Sequence, residues 1–280
     1  MHYPRLDPVL IDLGAFQIRW YGLMYVLAFV ACHVLATRRA ALARGSPSGS
    51  PAAAGFGRQD VADLVFYGVL GVIVGGRAGF VLFYGFDQFL RDPLWLVRIW
   101  EGGMSFHGGL VGVCGALWLF AARRGRGLFE VTDFVAPLVP VGLGLGRLGN
   151  FINTELPGRV TDTALGVHFP CPAVSELTLT CFGAYETAVR HVSSLYQAFT
   201  EGVVLFVLVW FFSARPRAAG AVSGVFLVGY GCLRFLTEFF REPDPHVGLV
   251  GFDVLSMGQL LSLPMVAFGI FLLVPRTASR

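Results

Sequence analysis

Seven stretches of this sequence are long and apolar enough to cross a lipid bilayer as helices. A helix needs roughly 20 mostly apolar residues to span about 30 Å of hydrocarbon, because its backbone polar groups must be satisfied within the segment. The candidate spans lie at about 20–37, 62–84, 105–122, 129–148, 197–213, 221–240 and 256–274, and the fourth is the least regular. We therefore expect an all-α integral membrane protein, with residues 1–280 forming one polytopic membrane domain.

Composition favours a bilayer as the solvent of this chain. Its 280 residues are 55% hydrophobic and only 14% charged, with a mean hydropathy of +0.66, which exceeds what a water-soluble core of this length requires. All 21 basic residues are Arg, and the net charge of +3 is too small to indicate a nucleic-acid partner. The five cysteines include no C-x-x-C pair and no metal-ligand spacing, so we predict no metal site and no cofactor.

Arginine positions predict the orientation of the spans. Basic residues concentrate in cytoplasmic loops, and eleven arginines fall on one side of the seven spans against seven on the other. We expect the richer side to be cytoplasmic, which places the N-terminus in the periplasm and the C-terminus in the cytoplasm. Arg38 and Arg39 follow the first span where a signal peptide would carry a small-residue cleavage site, so we expect no removable signal peptide.

Two connecting segments differ from ordinary short loops. Residues 44–57 carry a run of Ser, Pro, Gly and Ala, which indicates a flexible cytoplasmic linker. Residues 150–196 form the longest stretch between spans and would be a periplasmic head between spans 4 and 5. This head contains Cys171 and Cys181, which could form a disulfide in an oxidising compartment, and the sequence leaves their pairing open.

Glycines recur four residues apart in three of the spans. Small residues at this spacing let helix backbones approach closely in lipid, so they predict the packing faces of a compact bundle. They are Gly71, Gly75 and Gly79 in the second span, Gly108 and Gly112 in the third, and Gly142 and Gly146 in the fourth.

Ionisable residues inside a span need a partner, a wet cavity or a ligand, because each costs a few kcal/mol or more in lipid. Arg234 and Glu238 lie four apart on one helix face and predict an ion pair, which can be structural or functional. Arg77 lies among glycines, which favours a packed arginine over a ligand-binding one. His107, at the outer end of the third span, is either an interfacial histidine or a proton acceptor.

Arg147 has a different setting, because amides and a carboxylate follow it closely. Asn150, Asn153, Glu155 and Gly158 come within eleven residues of Arg147, where the fourth span reaches the periplasmic surface. Convergent polar groups at such a depth are typical of a site for a charged ligand.

The segment from Gly146 to Arg159, GRLGNFINTELPGR, closely resembles the signature of the bacterial prolipoprotein diacylglyceryl transferase family. The resemblance extends in the expected order over nearly the whole chain. It includes WYGLMY at 20–25, the Gly-Gly-Arg at Arg77, GGMSFHGG at 102–109, and the segment from Gly229-Tyr230-Gly231 to Arg241-Glu242-Pro243.

This resemblance implies seven transmembrane helices in the bacterial inner membrane and an active site that faces the periplasm. It implies phosphatidylglycerol as lipid donor and the lipobox cysteine of a prolipoprotein signal peptide as acceptor. The catalytic residues would be His107, Arg234, Glu238, Glu155 and Tyr21, and the substrate-binding residues Arg147, Asn150, Gly158, Asn153 and Arg241.

Within this scheme Arg147 and Arg234 would hold the phosphate, since guanidinium forks match its geometry. His107 is the leading candidate for the base that takes the thiol proton, and Glu155 is the rival. Glu238 would orient Arg234.

One short motif departs from the family pattern. In RHVSSLYQ, residues 190–197, we expect a Pro after the His, a Gln before the Leu and a Glu after the Tyr. The departure leaves the outer end of the fifth span and any role of His191 open, although Tyr196 is retained. A transporter is the alternative from another class, since polar residues and glycine-rich helices also form substrate paths, but the two halves show no inverted repeat.

Overall fold

A computed structural model describes residues 1–14, 17–45, 55–170, 187–243, 248–250 and 254–274. The central part of the expected linker and the cysteines at 171 and 181 lie outside the described residues. The chain divides into two compact units, one formed by Met1–Cys32 with Val135–Arg280 and the other by His33–Phe134.

Helices dominate the described residues. They are α1 (Trp20–Gly45), α2 (Arg58–Tyr84), α3 (Phe86–Arg91), α4 (Phe106–Arg123), α5 (Leu128–Val135), α6 (Val139–Ile152), α7 (Ser193–Gln197), α8 (Leu205–Phe212), α9 (Ala221–Thr237) and α10 (Met257–Leu273). A π-helical segment, Ala198–Val204, joins α7 to α8, and short 3-10 turns cover Pro93–Val97, Ile99–Glu101 and Glu238–Phe240.

The described strands are short and pair two by two. The antiparallel pairs are β1 (Val9–Asp12) with β2 (Gln17–Arg19), β3 (Val167–His168) with β4 (Val189–Arg190), and β5 (Leu249–Val250) with β6 (Leu255–Ser256). The register of the second pair matches Val167 with Arg190 and His168 with Val189. These pairs lie outside the long apolar helices.

The prediction of a helical protein with several apolar spans is confirmed. Within the described residues, five helical segments are long and apolar enough to cross a membrane: Trp20–Ala43, Arg58–Tyr84, Phe106–Arg123, Ser193–Phe212 and Ala221–Phe240. A sixth results if α5 and α6 count as one broken span, while the 17-residue α10 is apolar but shorter. The count of seven and the orientation of the termini stay predictions.

The irregular fourth span is a helix interrupted at residues 136–138. Pro137 lies within this interruption, and Pro140 lies in the first turn of α6. Proline has no backbone N–H to donate to the preceding turn. Leu138 N donates instead to Val135 O at 2.8 Å. The interruption leaves α6 as a separate helix that contains the first half of the signature segment, Gly146 to Ile152.

Glycines allow α2 and α4 to pack backbone against backbone, as predicted. A Cβ atom placed on Gly75 would lie 2.7 Å from Gly112 Cα, and one on Gly79 would lie 2.7 Å from Gly108 Cα. Gly71 makes a similar approach to Gly112, since its Cβ would lie 2.7 Å from that carbonyl oxygen. No side chain fits at such distances, so glycine is required along this face.

In the fourth span the prediction for Gly142 and Gly146 was wrong. A Cβ on Gly142 would make only an ordinary 3.9 Å contact with Ala28, and one on Gly146 would meet no atom of the described residues within 4 Å. Gly144 makes the close approach instead, because a Cβ on Gly202 would lie 2.7 Å from Gly144 Cα. Gly144 and Gly202 therefore allow α6 to contact the π-helical segment directly.

Separate apolar clusters pack the membrane and head portions of the larger unit. Leu205, Val209 and Val222 are fully buried together with Ala136. Tyr3 packs between two residues of the head, Phe151 and Phe169, with ring centroids 4.9 and 4.6 Å away. The Tyr3 hydroxyl donates to Phe151 O at 2.5 Å, and burial raises the pKa of Tyr3 above its ordinary value.

The α2–α4 contact yields a stability prediction. Gly75→Ala should lower the free energy of unfolding by about 1–3 kcal/mol, because the added methyl group forces the two backbones apart. Gly68→Ala in the same helix should be neutral or stabilising by up to about 1 kcal/mol, since a Cβ there meets no described atom within 4 Å and alanine favours helix. Unfolding of the purified protein in mixed micelles measures both, and equal stability of the two variants would contradict the packing.

Candidate functional site

Arg147 on α6 meets a buried carboxylate on the π-helical segment. Its Nε and Nη2 atoms each lie 3.3 Å from Glu201 Oε2. The Glu201 side chain is 0% exposed and that of Arg147 is 17% exposed. The Gly144–Gly202 contact explains the meeting, because Arg147 follows Gly144 by less than one helical turn and Glu201 immediately precedes Gly202.

Glu201 also faces Arg234 on α9. Arg234 Nη1 lies 3.7 Å from Glu201 Oε1, which is too long for a hydrogen bond, and this nitrogen has no hydrogen-bond partner in the described part of the chain. Thr237 Oγ1 donates to the same Glu201 oxygen at 3.5 Å. One buried carboxylate therefore bridges two arginines from different helices.

The ion pair expected between Arg234 and Glu238 is confirmed. Arg234 Nη2 lies 2.7 Å from Glu238 Oε2, and the two residues are only 9% and 5% exposed. Gly258 in the first turn of α10 packs against this pair, since a Cβ there would lie 2.9 Å from Glu238 Cδ and 3.0 Å from Arg234 Nη2. Two arginines and two glutamates thus form one buried cluster whose formal charges sum to zero.

Asn150, Asn153 and Glu155 converge at the end of α6, as the sequence predicted. Asn150 Nδ2 donates to Glu155 Oε2 at 2.6 Å, and Asn153 Nδ2 donates to Glu155 Oε1 at 3.1 Å. The two amides therefore fix both carboxylate oxygens. Asn153 Oδ1 is buried and has no hydrogen-bond partner among the described residues, so it is an acceptor available to a ligand.

The turn that carries Glu155 has an unusual backbone. Thr154 and Leu156 have φ angles of 59° and 56°, in the left-handed region that costs a non-glycine residue roughly 1–2 kcal/mol. Glu155 N donates to Asn150 O at 2.9 Å, and Ser193 Oγ donates to Leu156 O at 2.5 Å. These bonds stabilise the conformation, and strained backbone of this kind is frequent at functional sites.

Gly158 lies where three chain segments meet. Its N donates to His191 O at 3.0 Å, and a Cβ would lie 2.6 Å from His191 Cβ and 2.7 Å from Phe240 O. Gly158 and Arg241 form an antiparallel bridge, and Arg159 Nε donates to Arg241 O at 3.1 Å. The close approach of these backbones requires glycine here.

Three residues of the altered motif at 190–197 pack around Gly158 or contact one another. Arg190 Nη1 lies 3.3 Å from both Gly158 O and Glu242 Oε2. His191 Nδ1 lies 3.2 Å from the Tyr196 hydroxyl, and burial lowers the pKa of His191 below its ordinary value. His191 thus contributes to the packing around Gly158.

Tyr21 on α1 packs its ring against Gly149 on α6. A Cβ on Gly149 would lie 2.7 Å from Tyr21 Cδ2, and Tyr25 contacts the Tyr21 ring edge to face with centroids 5.3 Å apart. Tyr21 also interacts electrostatically with Glu155 and Arg147. This places a phenol beside both parts of the predicted site.

Arg77 and His107 belong to the 33–134 unit. Arg77 donates to the carbonyls of Trp95, Leu96, Gly102 and Gly103 at 2.5 to 3.3 Å, which confirms the prediction of a packed arginine. Gly103 precedes Ser105, which caps α4 by accepting from Gly108 N at 3.2 Å. His107 is exposed in the first turn of this helix, so Arg77 supports the loop that leads to it.

The sequence analysis missed Glu201 and Gly258. Glu201 is the only carboxylate in the fifth candidate span at 197–213, so the cost of an ionisable group in lipid was the signal that should have found it. Gly258 carried no such signal, because only its contact with Arg234 and Glu238 distinguishes it. In the described ranges, no group of three or more His, Cys, Asp or Glu could hold a metal ion.

Comparisons with known proteins show which family this chain belongs to. The sequence model of the family "Prolipoprotein diacylglyceryl transferase" matches residues 8–275. The phosphatidylglycerol–prolipoprotein diacylglyceryl transferase of Chromohalobacter salexigens is 50% identical over 272 residues, covering 97% of this chain and 93% of the relative. The enzyme of the same name from Photobacterium profundum is 50% identical over 282 residues, covering 99% and 97%. This chain therefore belongs to the prolipoprotein diacylglyceryl transferase family.

Proposed function

We propose that this chain transfers the diacylglyceryl group of phosphatidylglycerol to the lipobox cysteine thiol of prolipoproteins, the first step of lipoprotein maturation. The observation that carries the proposal is the buried cluster of Arg147, Glu201, Arg234 and Glu238, together with the hydrogen-bonded Glu155 on the turn after α6. Two guanidinium groups in a low-dielectric site suit a phosphate, which is the group that leaves in this reaction.

The reaction exchanges one bond at a glyceryl carbon. The cysteine sulfur attacks the carbon that carries the phosphate, a thioether C–S bond forms, and the C–O bond to phosphate breaks. Glycerol 1-phosphate leaves with the electron pair of that bond, and the thiol proton passes to a base. The enzyme must therefore bind the phosphate and remove one proton, because the thiolate is the nucleophile.

Arg147 and Arg234 are the residues that we assign to the phosphate. Arg234 Nη1 is buried without a hydrogen-bond partner in the described chain, so it is a donor available to a phosphate oxygen. Glu238 fixes the other side of the same guanidinium at 2.7 Å. Arg241, Asn150, Asn153, Gly158 and Tyr21 would shape the surrounding substrate site.

His107 is the base that we favour, with Glu155 as the rival. Both Glu155 oxygens accept hydrogen bonds from Asn150 and Asn153, which hold this carboxylate in one orientation and suit it to a positioning role. His107 is exposed in the first turn of α4. Imidazole is also the side chain best suited to proton transfer near neutral pH.

We further infer that the chain lies in the bacterial inner membrane with its site facing the periplasm. The excess of arginine on the opposite side of the spans supports this orientation. The lipid donor would enter laterally from the bilayer, and the signal peptide of the precursor would present its cysteine from the periplasmic side.

Transfer by the purified protein tests the function. Protein in detergent, mixed with phosphatidylglycerol and a lipobox peptide, should add a diacylglyceryl mass to the peptide and release glycerol phosphate. Arg147→Ala should reduce this rate by a factor of about 100 or more, in line with the loss of a buried charge contact to the transition state. Arg91→Ala, which removes an exposed arginine on α3, is the matched control and should retain the rate. No mass gain with folded wild-type protein would favour the transporter instead.

A pH profile distinguishes the two candidate bases. His107→Gln should lower the rate at pH 7 by about 100-fold, within the usual contribution of a general base. Its residual rate should rise about tenfold per pH unit up to a pH near 8.5, because the reaction then depends on spontaneous ionisation of the thiol. Glu155→Gln should leave the shape of the profile unchanged. Full turnover by His107→Gln would remove His107 from the mechanism.

Labelling of single cysteines tests the orientation. Leu165 in the head is 68% exposed, and Ala218 lies exposed in the loop between α8 and α9. In intact cells an impermeant maleimide should label Leu165→Cys and not Ala218→Cys, with the wild-type chain giving the background from its native cysteines. The reverse pattern would overturn the topology.

A further inference from the structure

We propose that Glu201 is an internal anion that competes with the bound phosphate for Arg147 and Arg234 and thereby promotes release of the phosphate product. The inference rests on the proposed function, in which these two arginines hold the phosphate. Glu201 would act through the arginines and is therefore a positioning residue.

The contacts of Glu201 with the arginines are long. Arg147 Nε and Nη2 lie 3.3 Å from Oε2, and Arg234 Nη1 lies 3.7 Å from Oε1, whereas tight charge-assisted bonds measure about 2.7–2.9 Å. The Arg234–Glu238 ion pair, at 2.7 Å between Nη2 and Oε2, is the shortest contact in this cluster, although its geometry is not that of a hydrogen bond. Glu238 therefore anchors Arg234, while Glu201 holds both guanidinium groups loosely enough for another anion to compete.

Glu201 is buried more deeply than the two arginines that it contacts. The Glu201 side chain is 0% exposed, whereas those of Arg147 and Arg234 are 17% and 11% exposed. The two arginine side chains therefore keep some accessible surface, while Glu201 stays out of contact with water. A phosphate bound to the two arginines would thus have an unscreened carboxylate close behind them.

The charge balance of the cluster indicates which of the two ligands, lipid donor or phosphate product, Glu201 would repel more strongly. Arg147, Arg234, Glu201 and Glu238 sum to zero, so a bound phosphodiester leaves the site with one excess negative charge. The product is a phosphate monoester, which carries about −1.5 to −2 charges at pH 7 because its second pKa is about 6. Glu201 repels the product more strongly than the lipid donor, and this difference promotes product release.

Glu201→Gln tests the inference, because it removes the charge and keeps the shape and an acceptor oxygen. Initial rates of the full-length protein in detergent, with phosphatidylglycerol and the lipobox peptide, would be measured with added glycerol 1-phosphate. We expect the inhibition constant of glycerol 1-phosphate to fall about tenfold, equivalent to about 1.4 kcal/mol. The KM for phosphatidylglycerol should fall less, and kcat should fall as release slows.

Tighter product binding is a readout that structural damage does not produce. Glu101→Gln is the matched control, because it removes an exposed carboxylate paired with Arg98 and should leave the inhibition constant unchanged. An unchanged or raised inhibition constant in Glu201→Gln would show that Glu201 is only a structural counterion and would overturn the inference.

If Glu201→Gln does not fold, the same inhibition constant would be measured for Glu201→Asp. The shorter side chain withdraws the charge from both arginines, so the inhibition constant should fall a few-fold, and an unchanged or raised value overturns the inference. Failure of the proposed function looks different, since wild-type protein would then give no transfer. Transfer that depends on Arg147, together with an unchanged inhibition constant in both Glu201 variants, would reject only the role of Glu201.

Discussion

The charged cluster around Glu201 constrains how the larger unit packs. An isolated charge in a membrane span costs a few kcal/mol or more, so Arg147, Glu201 and Arg234 must find one another when the helices assemble. They come from α6, the π-helical segment and α9, and each contact joins different parts of the chain. The same requirement that organises the bundle also places two guanidinium groups side by side. The packing of this unit and the proposed phosphate site therefore depend on the same residues.

Glycine makes these charge contacts geometrically possible. Gly144 and Gly202 bring the α6 backbone against the π-helical segment, and Gly258 brings α10 against Arg234 and Glu238. In the 33–134 unit, glycines on α2 and α4 serve packing alone, and Arg77 there satisfies backbone carbonyls instead of a carboxylate. Similar glycine-rich sequences thus support a polar cluster in one unit and an apolar contact in the other.

Local rules predicted much of this structure from the sequence. Hydropathy located the helices, the i,i+4 spacing identified the Arg234–Glu238 pair, and short sequence separation brought Asn150, Asn153 and Glu155 together. The contacts that join distant segments were harder. Gly142, Gly144 and Gly146 look alike in sequence, and only the path of a neighbouring helix decides which of them it contacts. Glu201 was missed although its cost in lipid was visible, because its partners lie on other helices.

Two carboxylates of the site, Glu155 and Glu201, differ in how firmly they are bound. Both oxygens of Glu155 accept hydrogen bonds from amides, at 2.6 and 3.1 Å, on a turn whose backbone is fixed by Ser193, so this carboxylate suits an orienting role. Glu201 contacts its arginines at 3.3 and 3.7 Å and leaves a nitrogen of Arg234 without a hydrogen bond. An enzyme that must bind a phosphate and then release it needs donors that its own acceptors do not saturate. The long contacts of Glu201 leave such a donor, Arg234 Nη1, at the proposed phosphate site.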